Sequence, residues 1–211
     1  MKVALILFNI DLSNIDLTNY YTIGVDEGAL NAINNNTHLD LSIGDFDSVN
    51  KEELDLIYKN SKKVIKLNPI KDETDTEEAL KIAYQKSSDV TIFGGIQGNR
   101  VEHFLSILGL LSKYKDLTLI DNNSYIFVKD KSFTLKKDDY KDYKFFSIFS
   151  LSNDLLISLK GFKYNLSNYN LKVTNTTLTV SNQMIEDIVN IDINNKALFI
   201  LSKLDNQNNI D

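Results

Sequence analysis

The sequence predicts an α/β amino-terminal domain, built on a mainly parallel sheet with flanking helices, followed by an all-β carboxy-terminal sandwich. Two observations predict this. Over the first 120 residues short apolar runs alternate with amphipathic stretches, as strands do when a helix carries the chain back between them. Beyond Lys129 the helical period disappears, and runs of Thr, Val, Ile, Phe and Tyr are separated by Asn, Asp and Gly. No low-complexity linker or repeat intervenes, so two closely packed domains are expected, 1–130 and 131–211.

In the first part the strand segments are Val3–Phe8, Thr22–Val25, Leu41–Ile43, Lys63–Leu67, Val90–Phe93 and Leu117–Ile120. Asn50 with Glu53 reads as a capping box opening a helix over Lys51–Lys59. Thr74 with Glu77 repeats that signature, and Ala79, Ile82 and Ala83 give an apolar stripe to about Lys86. A third helix follows a glycine cluster, with Val101, Leu105 and Leu108 on one side. In the second part the strand segments are Ser132–Leu135, Phe145–Phe149, Leu155–Leu159, Leu171–Val173, Thr177–Val180, Ile188–Ile193 and Ala197–Leu201. Lys136–Lys144, rich in Lys and Asp, reads as a solvated loop.

Composition narrows the function. The 211 residues carry a net charge of −6, which argues against a nucleic-acid surface. The early apolar run Val3–Phe8 is too short for a signal peptide or a membrane span, and with no Cys nothing marks a secreted chain. A cytoplasmic location with no membrane partner is expected. Of 23 basic residues only Arg100 is arginine, and its planar fork is the one bidentate phosphate donor in the chain.

Gly44-Asp45-Phe46-Asp47-Ser48 follows a strand segment, so Asp45 and Asp47 point to one side if the chain stays extended. Taken alone, Asp-x-Asp also fits a turn that satisfies its own backbone. Ligands of parallel sheets bind beyond the carboxyl ends of strands, however, and Asp26 ends Thr22–Val25 in the same way. Lys71-Asp72-Glu73-Thr74-Asp75 follows the only proline, Pro69, and puts Asp75 in a first helical turn that can face the same rim. Three converging carboxylates, Asp45, Asp47 and Asp75, suit a hard divalent cation that also carries phosphate oxygens. Gly94-Gly95-Ile96-Gln97-Gly98-Asn99-Arg100 leads from a strand into a helix, where backbone N–H groups can meet an anion. It is neither a Walker motif nor a dinucleotide fingerprint. His103 reads chiefly as a polar residue of the first helical turn, and nothing supports triad or zinc chemistry.

In order and spacing these segments resemble the thiamin pyrophosphokinase family over most of the chain. Gly44-Asp45-Phe46-Asp47-Ser48 matches its Gly-Asp-Phe-Asp-Ser motif, and Lys71-Asp72-Glu73-Thr74-Asp75 its Lys-Asp-x-Thr-Asp motif. Gly24-Val25-Asp26-Glu27-Gly28-Ala29 resembles Ala-Asp-Gly-Gly-Ala. Gly95–His103 resembles Gly-x-x-Gly-Gly-Arg-x-Asp-His, with Asn99 standing for Gly and Glu102 for Asp. Gly161-Phe162-Lys163-Tyr164-Asn165-Leu166 and Ser181-Asn182 resemble two later segments.

The resemblance implies a homodimer that moves pyrophosphate from ATP to the hydroxyl of thiamin and releases AMP. It implies Mg²⁺ on Asp45, Asp47 and Asp75. ATP contacts are implied from Asp26, Lys71, Thr74, Gly95, Gly98, Arg100 and Glu102. Asp72, Asp75 and Asp47 fall at the reacting centre, with Asp72 a candidate base, and Ser181 and Asn182 on the thiamin side. Other readings stay open at this point: a pyrophosphokinase with another acceptor such as a hydroxymethylpterin, a non-catalytic nucleotide- or thiamin-binding module, or a nucleotide-sugar transferase.

Overall fold

The computed structural model describes residues 1–98 and 100–204, which divide into two compact units, the first being Met1–Asn122. The first unit has six strands, β1 (Lys2–Ile6), β2 (Tyr20–Val25), β3 (Leu41–Gly44), β4 (Val64–Lys66), β5 (Val90–Phe93) and β6 (Thr118–Ile120). They lie in the order β4-β3-β2-β1-β5-β6, and every neighbouring pair is parallel. β3 and β5 are buried along their whole length, which is why they read as continuous apolar runs rather than alternating ones. Four helices connect the strands: α1 (Glu27–Asn34), α2 (Lys51–Asn60), α3 (Asp75–Lys86) and α4 (Val101–Lys113). The chain winds outward from β1 through β4, then returns to place β5 on the other side of β1. That reversal leaves a crevice at the carboxyl ends of β1 and β5.

Local chemistry fixes the helix starts. Glu53 N–H donates to Asn50 Oδ1 (3.0 Å) and Asn50 N–H donates to Glu53 Oε2 (2.8 Å), so the expected capping box forms in full. At α3 only half of it forms: Glu77 N–H donates to Thr74 Oγ1 (3.2 Å), while the Glu77 carboxylate turns to Lys113. Close approach of α1 to the sheet depends on Gly28. A Cβ there would come within 2.0 Å of the Ile6 carbonyl oxygen.

The second unit opens at Asn123 and is all β. β7 (Ser124–Lys129), β13 (Ala197–Ser202) and β9 (Phe145–Ser150) pair antiparallel. β11 (Leu166–Leu171), β10 (Leu155–Lys160), β12 (Ile188–Ile193) and β8 (Phe133–Lys136) form a second antiparallel sheet. Phe127, Phe146, Ile148 and Phe199 from the first sheet share one core with Leu135, Ile157, Val189 and Ile191 from the second, the expected sandwich. Of two expected strands, Leu171–Val173 supplies only Leu171, the last residue of β11, and Thr177–Val180 is irregular chain. There Asn175 N–H closes a turn on the Lys172 carbonyl (2.9 Å), and Thr179 Oγ1 caps the Ile148 carbonyl (2.6 Å). β7 and β11 are strands where none was expected, and Lys137–Tyr140 is a short 3-10 turn within the expected loop. Among the described residues no helix is long and apolar enough to cross a membrane.

Candidate active site

A cavity of about 570 Å³ opens beyond the carboxyl ends of β1, β2 and β3, and all of its lining residues belong to the first unit. One end is acidic. Asp26 follows β2, Asp45 follows β3, and Asp75 begins α3; each offers an oxygen within 4.8 Å of the others. Asp26 holds an uncommon backbone conformation, φ 48° and ψ −125°, which turns its carboxylate back over the sheet. Its Oδ1 accepts from Phe46 N–H (3.2 Å) and lies where a Cβ of Gly44 would be, 2.0 Å away, so glycine at 44 makes room for this carboxylate. Burial, reinforced by repulsion from Asp75 and Asp45, pushes the Asp26 carboxyl up to about 7.

Lys71 supplies the counter-charge. Its ammonium lies 2.9 Å from Asp75 Oδ1 and 3.6 Å from Asp45 Oδ2, donates to the Asn68 carbonyl (3.1 Å), and is only 19% exposed. Burial alone would lower the Lys71 pKa, but the bonds and charges of Asp75 and Asp45 outweigh it and the net shift is upward. The Asx turn at Asn68 (Ile70 N–H to Asn68 Oδ1, 2.9 Å) and the Thr74 cap set Lys71 and Asp75 four residues apart on the inner side.

The trio that converges differs from the one expected. Asp47 lines the cavity but stands outside the group, and Asp26 takes the third place. The period-two argument fails because β3 ends at Gly44 and Phe46 adopts φ 56°, so the chain turns between the two aspartates. Asp47 N–H then donates back to Asp45 Oδ1 (3.2 Å). Three hard carboxylate oxygens at this spacing fit a small divalent cation that keeps its remaining positions for water and phosphate. Asp72, expected at the reacting centre, is exposed and does not line the cavity.

Away from the carboxylates the lining mixes apolar and polar groups. Leu7, Phe8 and Ile107 line the cavity together with Asn9, Gly98, Arg100, His103 and Ser106. Gly94 (φ 88°) and Gly95 (φ 90°) carry the chain from β5 across the top of β1. Gly95 N–H donates to the Phe8 carbonyl (3.2 Å), and a Cβ on Gly95 would meet Leu7 at 2.7 Å and Ile107 at 2.8 Å. Gly95 therefore packs the turn and does not itself line the cavity. Arg100 does line it, 67% exposed, with Nε donating to Glu102 Oε1 (2.7 Å); that bond holds the Glu102 carboxyl below its usual range. Glu102 and Lys71 do not line the cavity, whereas Thr74 and Gly98 do. Asn99 lies outside the described residues.

Ser181 and Asn182 belong to the second unit. Asn182 is buried: its Oδ1 accepts from the Tyr164 and Gln183 N–H groups (3.0 and 2.9 Å) and its Nδ2 donates to the Tyr164 carbonyl (2.8 Å). That side chain ties two loops together. Ser181 is exposed at φ 59°, with its N–H on Ser147 Oγ (3.0 Å). Sequence reasoning missed Leu7, Phe8, Asn9, Ser48, Thr76, Ser106 and Ile107 at the cavity. The strand-end rule could have pointed to residues 7–9, which follow the central strand.

Comparison with known proteins fits this geometry. The family model described as "Thiamin pyrophosphokinase, catalytic domain" matches residues 15–143, and "Thiamin pyrophosphokinase, vitamin B1 binding domain" matches residues 132–198. The thiamine pyrophosphokinase of Bacillus subtilis (strain 168) is 33% identical over 181 residues, 81% of this chain and 83% of that protein. Its crystal structure aligns with a TM-score of 0.86 at 28% identity, covering 97% of this chain and 100% of the other. A thiamin pyrophosphokinase family protein from Enterococcus faecalis aligns equally well, with a TM-score of 0.86, 26% identity, and coverage of 97% and 100%. The chain belongs to the thiamin pyrophosphokinase family.

Proposed function

We propose that this chain transfers the pyrophosphoryl group of ATP to the hydroxyl of thiamin, giving thiamin diphosphate and AMP. Family membership supports the reaction, and the convergence of Asp26, Asp45 and Asp75 beside a Gly-rich turn carries the assignment of the site. The thiamin oxygen attacks the β-phosphorus, the bond from that phosphorus to the α–β bridging oxygen breaks, and AMP leaves with that oxygen. The hydroxyl proton passes to a cavity-wall carboxylate, for which Asp47 is the side chain outside the converging trio.

The trio would hold Mg²⁺, which when bound neutralises charge on the transferring group. Lys71 orients Asp45 and Asp75, and Thr74 and Gly98 offer short polar surface to phosphate oxygens. Arg100, at the start of α4, clamps the nucleotide. An acidic rim also suits the cationic acceptor. Residues 1–130 act as the catalytic part and 131–211 as the thiamin-binding and dimerising part of a cytoplasmic homodimer, with Ser181 on the thiamin side.

Incubation of the protein with ATP, Mg²⁺ and thiamin, followed by assay of AMP and thiamin diphosphate, tests this. Both products are expected in equal amounts, and Asp45→Asn lowers the turnover at least about a hundredfold. ATP and thiamin binding without AMP release would leave only a binding module.

A further inference from the structure

The feature that neither the motifs nor the proposed chemistry absorbs is Phe8. It is half-buried, lies two residues beyond the central strand β1, lines the cavity, and stands beside the crevice where the strand order reverses. The residue is held from several directions. Its carbonyl accepts from Gly95 N–H, and a Cβ on Gly94 would crowd that carbonyl to 2.6 Å. The next residue, Asn9 (φ 57°), donates from Nδ2 to the Gln97 carbonyl (3.0 Å), and its own carbonyl accepts from Asn122 Nδ2 (3.2 Å). Gly98 seats the ring along its Cδ2–Cε2–Cζ side. A Cβ there would stand 2.8 Å from Cε2, and Gly98 has no positive φ, so space beside the ring is what demands glycine.

We infer that Phe8 is the stacking platform for the base of the donor nucleotide. The inference rests on the proposed function and identifies its donor subsite. With the phosphates directed to the Asp26–Asp45–Asp75 cluster, which would carry them on a bound cation, the nucleoside extends toward Leu7, Phe8 and Ile107. A neutral planar base gains from an aromatic ring fixed in place before it arrives. A cationic acceptor gains more at the carboxylates. His103 and Ser106, one turn apart on α4, line the same cavity and offer hydrogen bonds to the edge of the base.

The test measures equilibrium affinity for AMP and for inorganic tripolyphosphate on the parent, Phe8→Ala and Phe8→Trp. AMP binding weakens about tenfold or more in Phe8→Ala. It is kept in Phe8→Trp, whose fluorescence AMP quenches, and tripolyphosphate binds all three alike. Equal AMP affinity in parent and Phe8→Ala, or equal loss for AMP and tripolyphosphate, would overturn the inference. So would a Phe8→Ala effect confined to thiamin. These readouts need no turnover, so a protein that binds AMP through Phe8 yet makes no thiamin diphosphate refutes the proposed reaction while leaving the platform standing.

Discussion

Asp26 combines two unfavourable features in one residue, a rare backbone conformation and a partly buried carboxyl beside two others. Such strain persists where the surroundings over-determine it, here through Gly44, Phe46 and the start of α1. It also has a pH signature. The folded pKa of about 7 lies above the unfolded value, so the protonated acid favours folding; that contribution is complete below about pH 4 and is lost as pH rises through 7. In EDTA, Asp26→Asn should therefore gain stability relative to the parent between pH 5 and pH 8. The gain is on the order of 1–2 kcal/mol after allowing for the solvent that reaches the site. Urea unfolding of both proteins across that range checks it, and a constant difference would refute the assignment. Excess Mg²⁺ should shrink the difference.

At the scale of elements, glycines set how closely helices and turns approach the sheet. Gly28→Ala would drive a methyl into the Ile6 carbonyl, forcing α1 off β1. A loss of about 1–3 kcal/mol or more is expected, read as a lower denaturation midpoint at unchanged slope. Most elements were legible because their signals are local. The Asn50–Glu53 box and the apolar runs of β1, β3 and β5 each need only neighbouring residues to be read. β11 was not legible: its Leu-Ser-Asn-Tyr-Asn-Leu sequence is polar, Asn168 takes φ 47°, and the register against β10 shifts between Ile157 and Leu159. Asp47 misled for a related reason. Phe46, also at positive φ, breaks an alternation that sequence alone would continue.

At the scale of the whole molecule, the cavity draws on residues from Leu7 to Ile107, and no single segment announces it. Motifs exposed the acidic end because carboxylates and glycines are distinctive. The apolar lining stayed hidden because Leu7, Phe8 and Ile107 look like core until the topology is known. Mg²⁺ and AMP bound there should stabilise the native protein by linkage. Saturating both at about a hundred times their dissociation constants should raise the unfolding free energy by about 2.7 kcal/mol or more. Thermal melts with each alone and both together would show it, and no shift with either would count against the site.

The pairing of β1 with both β2 and β5 has a consequence for how the protein comes into being. Val3 meets Tyr21 early in the chain but must wait for Val90 before its other edge is covered. On a ribosome delivering residues from the amino terminus, the aspartates after β2, β3 and β4 emerge first. β5, the Gly94–Gly95 turn and α4 arrive later. Until then the open edge of β1, wholly apolar from Val3 to Ile6, has no neighbour and stays exposed to mispairing. The strand at the centre of the sheet is thus open to mispairing until β5 has been made.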